Sequence, residues 1–509
     1  MERMQETATV VLNGKAQICP VGTSLGELLP ALGVGHMPCG GHGKCGKCRI
    51  FVAGTVTPPS EAELRALSPD ELADGIRLAC RVTVLGDCTV TAAGQGGSRI
   101  LTDGALPSSV STTPPTPAFA RCGVAVDIGT TTLAARLYDR EGHLLSETSR
   151  LNPQSLRGAD VITRMEAALD GHAAELAGMT RRALDGMLRE LAKAAHQPTE
   201  AIEAAVITGN TVMLHLFTET EVEPLTHAPF EAGRLFGETL TADQVGLTSL
   251  SPAATVYLPP CIAAFVGADT VTAVLASDIR EREETALLCD VGTNGEMVLW
   301  HGNTLYACST AAGPAFEGAG ISMGMSGRAG AINRVWVQDG ELCSHVIGEG
   351  EPVGLCGSGL VDAVASLLDT ELLDETGYLE DDPAVIADPV TVTQEDIRAV
   401  QLAKSAIHAG MRTLVHTAHL VCDDVNTLYI AGGFGSYLDV QNAGKIGLLP
   451  PELTDRVTVL GNAALTGASM LLLHPHLRPA AEQLARDTRL VELAANPVFV
   501  SEYMEQMMF

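Results

Sequence analysis

Short apolar runs broken by glycine and polar turns open the chain. Ala8–Leu12 and Ala16–Pro20 flank Asn13-Gly14, a dipeptide that takes positive φ readily and so predicts a tight hairpin. Ser24-Leu25-Gly26-Glu27 has the spacing of a capping box and predicts the start of a short helix. A strand is expected at Arg49–Val52, a second capped helix after Pro58-Pro59-Ser60-Glu61-Ala62-Glu63, and a last strand near Cys88–Ala92. Residues 1–97 therefore predict one small mixed sheet with a helix across it. Residues 98–120 contain Ser108-Ser109-Val110-Ser111-Thr112-Thr113-Pro114-Pro115-Thr116-Pro117, the composition of a semi-rigid tether. From Gly123 onward, apolar strand-like runs ending in glycine turns alternate with alanine-rich helical stretches such as Ala168–Ala195, an α/β pattern. That pattern repeats. Gly123-Val124-Ala125-Val126-Asp127-Ile128-Gly129-Thr130-Thr131-Thr132 recurs in altered form as Ala286-Leu287-Leu288-Cys289-Asp290-Val291-Gly292-Thr293-Asn294-Gly295. Two copies predict two related lobes, over 121–282 and 283–509.

Composition narrows the function. At 509 residues the chain exceeds one hydrophobic core. A formal net charge of −29 argues against nucleic acid or an anionic membrane surface as partner, since both require basic surface. No run of eighteen apolar residues occurs; Val457–Leu473 is interrupted by Gly461, Asn462, Thr466 and Gly467. The first residues lack the apolar segment of a signal peptide, and the 13 cysteines are an odd number spread through the chain, so a reducing cytoplasm is expected. Cys122, Cys261, Cys289, Cys308, Cys343, Cys356 and Cys422 then read as small buried apolar residues.

Four cysteines stand apart. Cys39, Cys45 and Cys48 lie on one glycine-rich loop and Cys80 follows about thirty residues later. A two-iron, two-sulfur cluster needs four converging thiolates, three of them from one curled segment. Gly40, Gly41, Gly43 and Gly46 permit the curl, and Lys44 and Lys47 place positive charge beside an anionic cluster. Zinc sites favour paired Cys-x2-Cys or Cys/His ligands, and only one such pair is present. His36 and His42 read as loop residues. The Cys-x5-Cys-x2-Cys spacing resembles the adrenodoxin-like branch of 2Fe–2S ferredoxins, which implies a β-grasp fold for this module.

The repeated hairpin carries its own chemistry. An aspartate at a strand end suits hydrated Mg²⁺, and a glycine turn followed by Thr or Asn suits phosphate oxygens. A third element, Leu428-Tyr429-Ile430-Ala431-Gly432-Gly433-Phe434-Gly435-Ser436, permits close approach of a nucleotide, and no P-loop sequence is present. Together these segments resemble the phosphate 1, phosphate 2 and adenosine motifs of the actin, sugar-kinase and heat-shock chaperone ATPase superfamily. Gly267-Ala268-Asp269-Thr270 and Gly461-Asn462-Ala463-Ala464 resemble its two connecting helices. The resemblance implies a duplicated, ribonuclease H-like, two-lobed ATPase. Asp127 and Asp290 would organise Mg²⁺ and water, and Asp269 would be either a catalytic carboxylate or a helix cap. Gly129, Thr130, Thr131, Gly292, Thr293 and Asn294 would meet phosphates, and Gly432, Gly433 and Gly435 would lie against adenosine.

A ferredoxin module joined to such an ATPase resembles the reductive activators of corrinoid proteins. Thr208-Gly209-Asn210-Thr211-Val212-Met213, Gly313-Pro314-Ala315-Phe316-Glu317-Gly318, Leu355-Cys356-Gly357-Ser358-Gly359-Leu360 and Gln401-Leu402-Ala403-Lys404 resemble further signatures of that family. The resemblance implies ATP-dependent, one-electron reduction of Co(II) to Co(I) in a corrinoid protein of a methyltransferase system. It also implies an external low-potential electron donor and a homodimer through the ATPase lobes. Members of the family can carry a further small domain where this chain has only the linker. Three other readings stand beside it: an activator of 2-hydroxyacyl-CoA dehydratases, a metabolite kinase with a fused ferredoxin, and an electron shuttle with a degenerate ATPase fold. The four-cysteine loop weighs against the first, and intact Asp127 and Asp290 against the third.

Overall fold

Alternation in the first strands places Ala8, Val10 and Leu12 inward, where they meet Ile50, Val52, Val84 and Val90 in one small core. The computed structural model describes residues 7–12, 15–28, 48–67, 69–73, 75–92, 114–348, 350–433 and 437–509. The first sheet contains β1 (Thr7–Leu12), β2 (Lys15–Pro20), β3 (Arg49–Val56), β4 (Ile76–Leu78) and β5 (Val84–Ala92), in the order β2-β1-β5-β3-β4. β1 pairs antiparallel with β2, Leu12 opposite Lys15, and parallel with β5, so the sheet is mixed as the pattern predicts. Ser60 starts a helix over Glu61–Ala66, and the Glu63 carboxylate accepts from the Ser60 N–H and hydroxyl at 2.8 and 2.9 Å. The first capping signature does less. Ser24 is bridged to Thr83, so its backbone is committed to a strand contact, and only a 3₁₀ turn over Leu25–Leu28 follows among the described residues.

The linker is more ordered at its end than its composition suggests. Thr116 N donates to Leu473 O at 3.0 Å, and Phe119 is buried, its ring filling the space a side chain at Gly123 would need. Ala120 N also donates to Glu203 Oε2 at 2.7 Å, so an apolar anchor and two hydrogen bonds hold 114–120 on the lobes. Residues 98–113 lie outside the described residues.

Both lobes are built on one plan. The first sheet has β6 (Cys122–Ile128), β7 (Thr132–Asp139), β8 (Leu144–Leu151), β9 (Ile202–Gly209), β10 (Glu238–Thr241) and β11 (Thr255–Leu258), in the order β10-β11-β9-β6-β7-β8. The second has β12 (Ala286–Val291), β13 (Gly295–His301) and β14 (Thr304–Thr310). After two smaller sheets, β15 (Ala331–Gln338) with β16 (Glu341–Val346) and β17 (Gly354–Leu355), and β18 (Ala384–Ala387) with β19 (Val390–Val392), it resumes with β20 (Thr427–Ala431), β21 (Val457–Gly461) and β22 (Arg489–Leu490). Its order is β21-β20-β12-β13-β14-β22. In each lobe the aspartate strand, β6 or β12, turns back on an antiparallel neighbour and pairs in parallel on its other side, with β9 or β20. These central strands are buried along nearly their whole length, as parallel strands covered on both faces must be.

Two helices, Ala268–Ala276 and Ala463–Leu473, cross between the sheets. A Cβ at Gly467 would sit 1.9 Å from Thr272 O, so only glycine allows this approach. Arg136 and Tyr138 of β7 bond Thr466 and Ser469 of the second helix, tying the first lobe to a segment from the chain's far end. The long helical stretch expected over 168–195 runs continuously from Ala173 to Ala194, after a kink at Gly171. Cys122, Cys261, Cys289, Cys308, Cys356 and Cys422 are buried as expected, whereas Cys343, opposite Trp336 on the exposed β15–β16 ribbon, is half-buried. No helix among the described residues is long and apolar enough to cross a membrane.

Candidate functional site

The two aspartate hairpins meet at the cleft between the lobes. In the first, Gly129 N donates to Thr132 O at 2.9 Å and closes the turn after Asp127. A Cβ at Gly129 would lie 2.8 Å from that carbonyl, which explains the glycine. In the second, Gly292 N donates to Asn294 O at 3.2 Å. The two glycine amides are thus engaged inside their own turns. The Thr131 and Thr293 hydroxyls are engaged as well, both donating to Glu317. Asn152 steadies the first turn, its Nδ2 donating to Gly129 O at 2.8 Å, and Asn210 Nδ2 donates to Thr130 Oγ1 at 3.1 Å.

Carboxylates crowd this cleft. Asp127 is raised from 3.8 to about 7, by burial first and then by Asp269 and Asp290, against a hydrogen bond from Asn462 Nδ2 at 3.2 Å. Asp290 is also raised to about 7, by burial, Asp269 and Glu317. Asp269, raised by burial to about 6, lies in the first turn of the helix over Ala268–Ala276, where its Oδ1 accepts from Thr270 N at 2.7 Å. Asp269 thus accepts from a first-turn N–H of its own helix, whose N-cap is Gly267, and also faces the other carboxylates. Glu296 on β13 stands directly opposite Asp290 on β12, and burial with its acidic neighbours pushes it well above its usual value. Like charges opposed on a sheet destabilise it unless a cation is near. This donor set fits Mg²⁺, which keeps most of its waters and is bound through one or two carboxylates together with substrate phosphates. Among the described residues no three acidic, histidine or cysteine side chains are arranged to hold an ion directly.

The adenosine-type element reaches the same place. Asp290 pairs with Ala431 across β12 and β20, and the chain then turns at Gly432, whose φ is +90°. A Cβ at Gly432 would sit 2.6 Å from Asp290 Oδ1. Apart from its own backbone and its chain neighbours, no atom of the described residues lies within 4 Å of where a side chain at Gly433 would be. Gly435 lies outside the described residues.

At the other site, Cys48 and Cys80 are brought together from positions 32 residues apart, with their sulfurs at 3.2 Å. Cys48 sits just before β3 and Cys80 in a turn just after β4, and Ala79 N donates to Cys48 O at 2.8 Å. β3 and β4 pair with Arg49 opposite Leu78, which fixes this approach. Two converging thiols fit two ligands of a 2Fe–2S cluster. Cys39 and Cys45 lie outside the described residues, as do Lys44, Lys47, His36 and His42.

Similar proteins carry both parts. Residues 10–85 match the family described as a 2Fe-2S iron-sulfur cluster binding domain, 122–282 the RACo middle region, and 284–509 the C-terminal domain of RACo, the ASKHA domain. The corrinoid activation enzyme RamQ of Eubacterium limosum is 37% identical over 418 residues, covering 76% of this chain and 70% of that protein. The chain belongs to the reductive activators of corrinoid proteins. A solved reductive activator for corrinoid, iron-sulfur protein superposes with a TM-score of 0.71 at 26% identity, covering 99% of this chain and 98% of that one. A Methanosarcina barkeri protein named [Co(II) methylated amine-specific corrinoid protein] reductase is 26% identical over 381 residues, or 69% of this chain and 70% of that protein.

In this activator the remaining signature segments divide between site and scaffold. Asn210 caps the helix over Thr211–Thr218, as well as bonding Thr130. Gly359 lets its helix lie against β15, since a Cβ there would meet Ile332 O at 2.1 Å. Gln401 and Lys404 bond the carbonyls of Met507 and Met508, so that segment anchors the last residues rather than the cleft. Two cleft residues had no role assigned from sequence. Glu296 is a carboxylate directly before the apolar run Met297-Val298-Leu299-Trp300 in a buried strand, and that placement is its sequence signal. Glu317 ends the short turn Ala315–Glu317 and accepts from both Thr131 and Thr293.

Proposed function

We propose that this chain reactivates a corrinoid protein by passing one electron to its Co(II), giving Co(I), in a step coupled to ATP with Mg²⁺ in the two-lobed cleft. The observation that carries the reading is the convergence of two Asp-x-Gly-Thr hairpins, one from each lobe, on a cluster of under-neutralised carboxylates, in a chain that also brings the Cys48 and Cys80 thiols together. The names of the similar proteins, a corrinoid activation enzyme and a corrinoid protein reductase, supply the partner. A 2Fe–2S cluster held by Cys39, Cys45, Cys48 and Cys80 would supply one-electron chemistry.

The residues then have separate tasks. Asp127 and Asp290 hold hydrated Mg²⁺, and Asn462 keeps Asp127 turned into the cleft. Thr130, Thr131, Thr293 and Asn294 receive phosphate oxygens once their present contacts give way. Asp269, with a pKa near 6, accepts a proton from water on the phosphate side of the cleft. Gly432 and Gly433 make room for the nucleoside. ATP is needed because cobalt is hard to reduce: a shortfall of ~100–150 mV costs roughly 2–4 kcal/mol for one electron. Closure of the lobes on ATP changes docking on the corrinoid protein and so the surroundings of its cobalt.

The test mixes the protein, a low-potential reductant, a Co(II) corrinoid methyltransferase component and Mg-ATP, and follows cobalt absorbance. Co(I) forms only with ATP. Formation at the same rate without ATP removes the nucleotide from the mechanism, and phosphorylation of a metabolite without any cobalt change points to a kinase instead.

A further inference from the structure

One carboxylate joins the two phosphate hairpins across the cleft. Thr131 Oγ1, from the first lobe, donates to Glu317 Oε2 at 2.6 Å, and Thr293 Oγ1, from the second, donates to the same oxygen at 2.6 Å. These hydroxyls come from opposite lobes, so the shared oxygen is a direct tie between them. Both are hydroxyls to which the ATP reading gives phosphate oxygens. An anionic oxygen that accepts from both at once stands where a phosphate oxygen would stand. The turn that carries Glu317 is fixed: Gly318 has φ +79°, and a Cβ there would meet Met325 O at 2.6 Å. The site has a buried cation within its electrostatic reach. Arg164 is fully buried behind the first hairpin, with Nε donating to Gly158 O at 2.9 Å and Nη1 near Met213 Sδ, while Nη2 has no partner among the described residues. Burial lowers Arg164 to about 10, against the pull of Asp160 and Glu317. Glu317 also adds to the repulsion felt by Asp290, so a triphosphate entering the cleft would meet it as a like charge.

We propose that Glu317 is a positioning residue that latches the two lobes in the nucleotide-free protein, holding with its carboxylate the place of the terminal phosphate of ATP and yielding it when ATP binds. The proposal rests on the ATP reading of the cleft. It adds selectivity: only a nucleotide whose last phosphate reaches both Thr131 and Thr293 displaces the latch. ADP and inorganic phosphate lack either the reach or the anchoring nucleoside. The latched state is not competent for ATP, so apparent affinity is weakened by the fraction of molecules held in it.

The experiment titrates Mg-ATP, Mg-ADP and inorganic phosphate into the full chain by calorimetry, for wild type, Glu317→Ala and Glu317→Gln. Hydrogen exchange of the hairpins 129–132 and 292–295 is measured without nucleotide. Glu317→Ala is expected to exchange faster in both hairpins and to bind ATP about tenfold tighter, with ADP changed less than about twofold. Glu317→Gln keeps an acceptor oxygen but loses the charge, so its hairpins stay protected while ATP affinity rises by about threefold. A purely structural glutamate predicts the opposite sign, weaker binding of every nucleotide. Equal tightening for ATP and ADP, weaker ATP binding, or unchanged exchange in Glu317→Ala overturns the latch. Should Glu317→Ala not fold, Glu317→Gln decides alone: an ATP-specific gain supports the latch and no gain rejects it. Absence of ATP binding by wild type overturns the nucleotide reading itself, and the latch falls with it.

Discussion

Replacing Asp127 by asparagine should stabilise the nucleotide-free protein at alkaline pH while abolishing its response to Mg-ATP. Asp127 in the folded chain titrates near 7, against 3.8 as a free side chain. A folded-state value above the unfolded one means that the folded chain prefers the protonated acid. Stability contributed by that preference is full below about pH 4 and is lost as pH rises through 7. A displacement of about 3 units corresponds to about 4 kcal/mol at most. Because the carboxylate is partly open to the cleft, screening reduces this to about 2 kcal/mol. Asparagine keeps an oxygen for Asn462 Nδ2 and carries no charge. The melting temperature of Asp127→Asn should therefore exceed that of wild type by about 4–8 °C at pH 8 and match it at pH 4. Mg-ATP should raise Tm of wild type and leave the variant unchanged. Calorimetry on both proteins, at pH 4, 6 and 8 and with and without Mg-ATP, reads all of this. A variant less stable than wild type at pH 8 would refute the claim that Asp127 is an under-neutralised carboxylate awaiting a cation.

Three further perturbations test other parts of the molecule. Gly432→Ala puts a Cβ 2.6 Å from Asp290 Oδ1 on a backbone with φ +90°, and ATP affinity by calorimetry should fall by about tenfold or more. Cys48→Ser should remove the visible absorption of the cluster and cobalt reduction while ATP affinity stays at the wild-type value; retained absorption would show that Cys48 is not a ligand. Glu63→Gln attacks the module core, where the buried carboxylate accepts from Arg77 Nε at 2.9 Å, Arg77 Nη2 at 3.1 Å, Leu78 N at 3.1 Å and Ser60 N at 2.8 Å. Burial opposes ionisation there, but these donors outweigh it and hold Glu63 below its usual value, so the stability it gives is present above pH 4.5 and lost on acidification. Leaving Arg77 buried without its counter-charge should cost about 3–5 kcal/mol, visible as an earlier loss of cluster absorbance on heating while the lobes unfold unchanged.

Local pattern reached far in this chain. The apolar runs from Ala8 and Ala16 pair antiparallel as read, with Asn13-Gly14 between them outside the described residues; Ser60 with Glu63 set a helix start, and the two Asp-x-Gly repeats marked both lobes and their facing turns. Pattern failed where a competing contact took over. Ser24 was drawn into a bridge with Thr83, and burial of Phe119 together with the Thr116 and Ala120 hydrogen bonds holds the end of a proline-rich linker on the lobes.

By itself the sequence determined the chemistry available: four cysteines spaced for a cluster, aspartates at strand ends, hydroxyls after glycine turns. These follow from residue type and short-range geometry, which act within a few residues of the chain. The tertiary structure decided which of those groups act together. Asn462 reaches Asp127 across 335 positions, Thr131 reaches Glu317 across 186, and Asp290 faces Glu296 because of strand register. No periodicity encodes such meetings. They arise when two sheets, held by helices crossing at Gly467, turn their hairpins toward one cleft, where burial strengthens both the repulsion among carboxylates and the bonds that offset it.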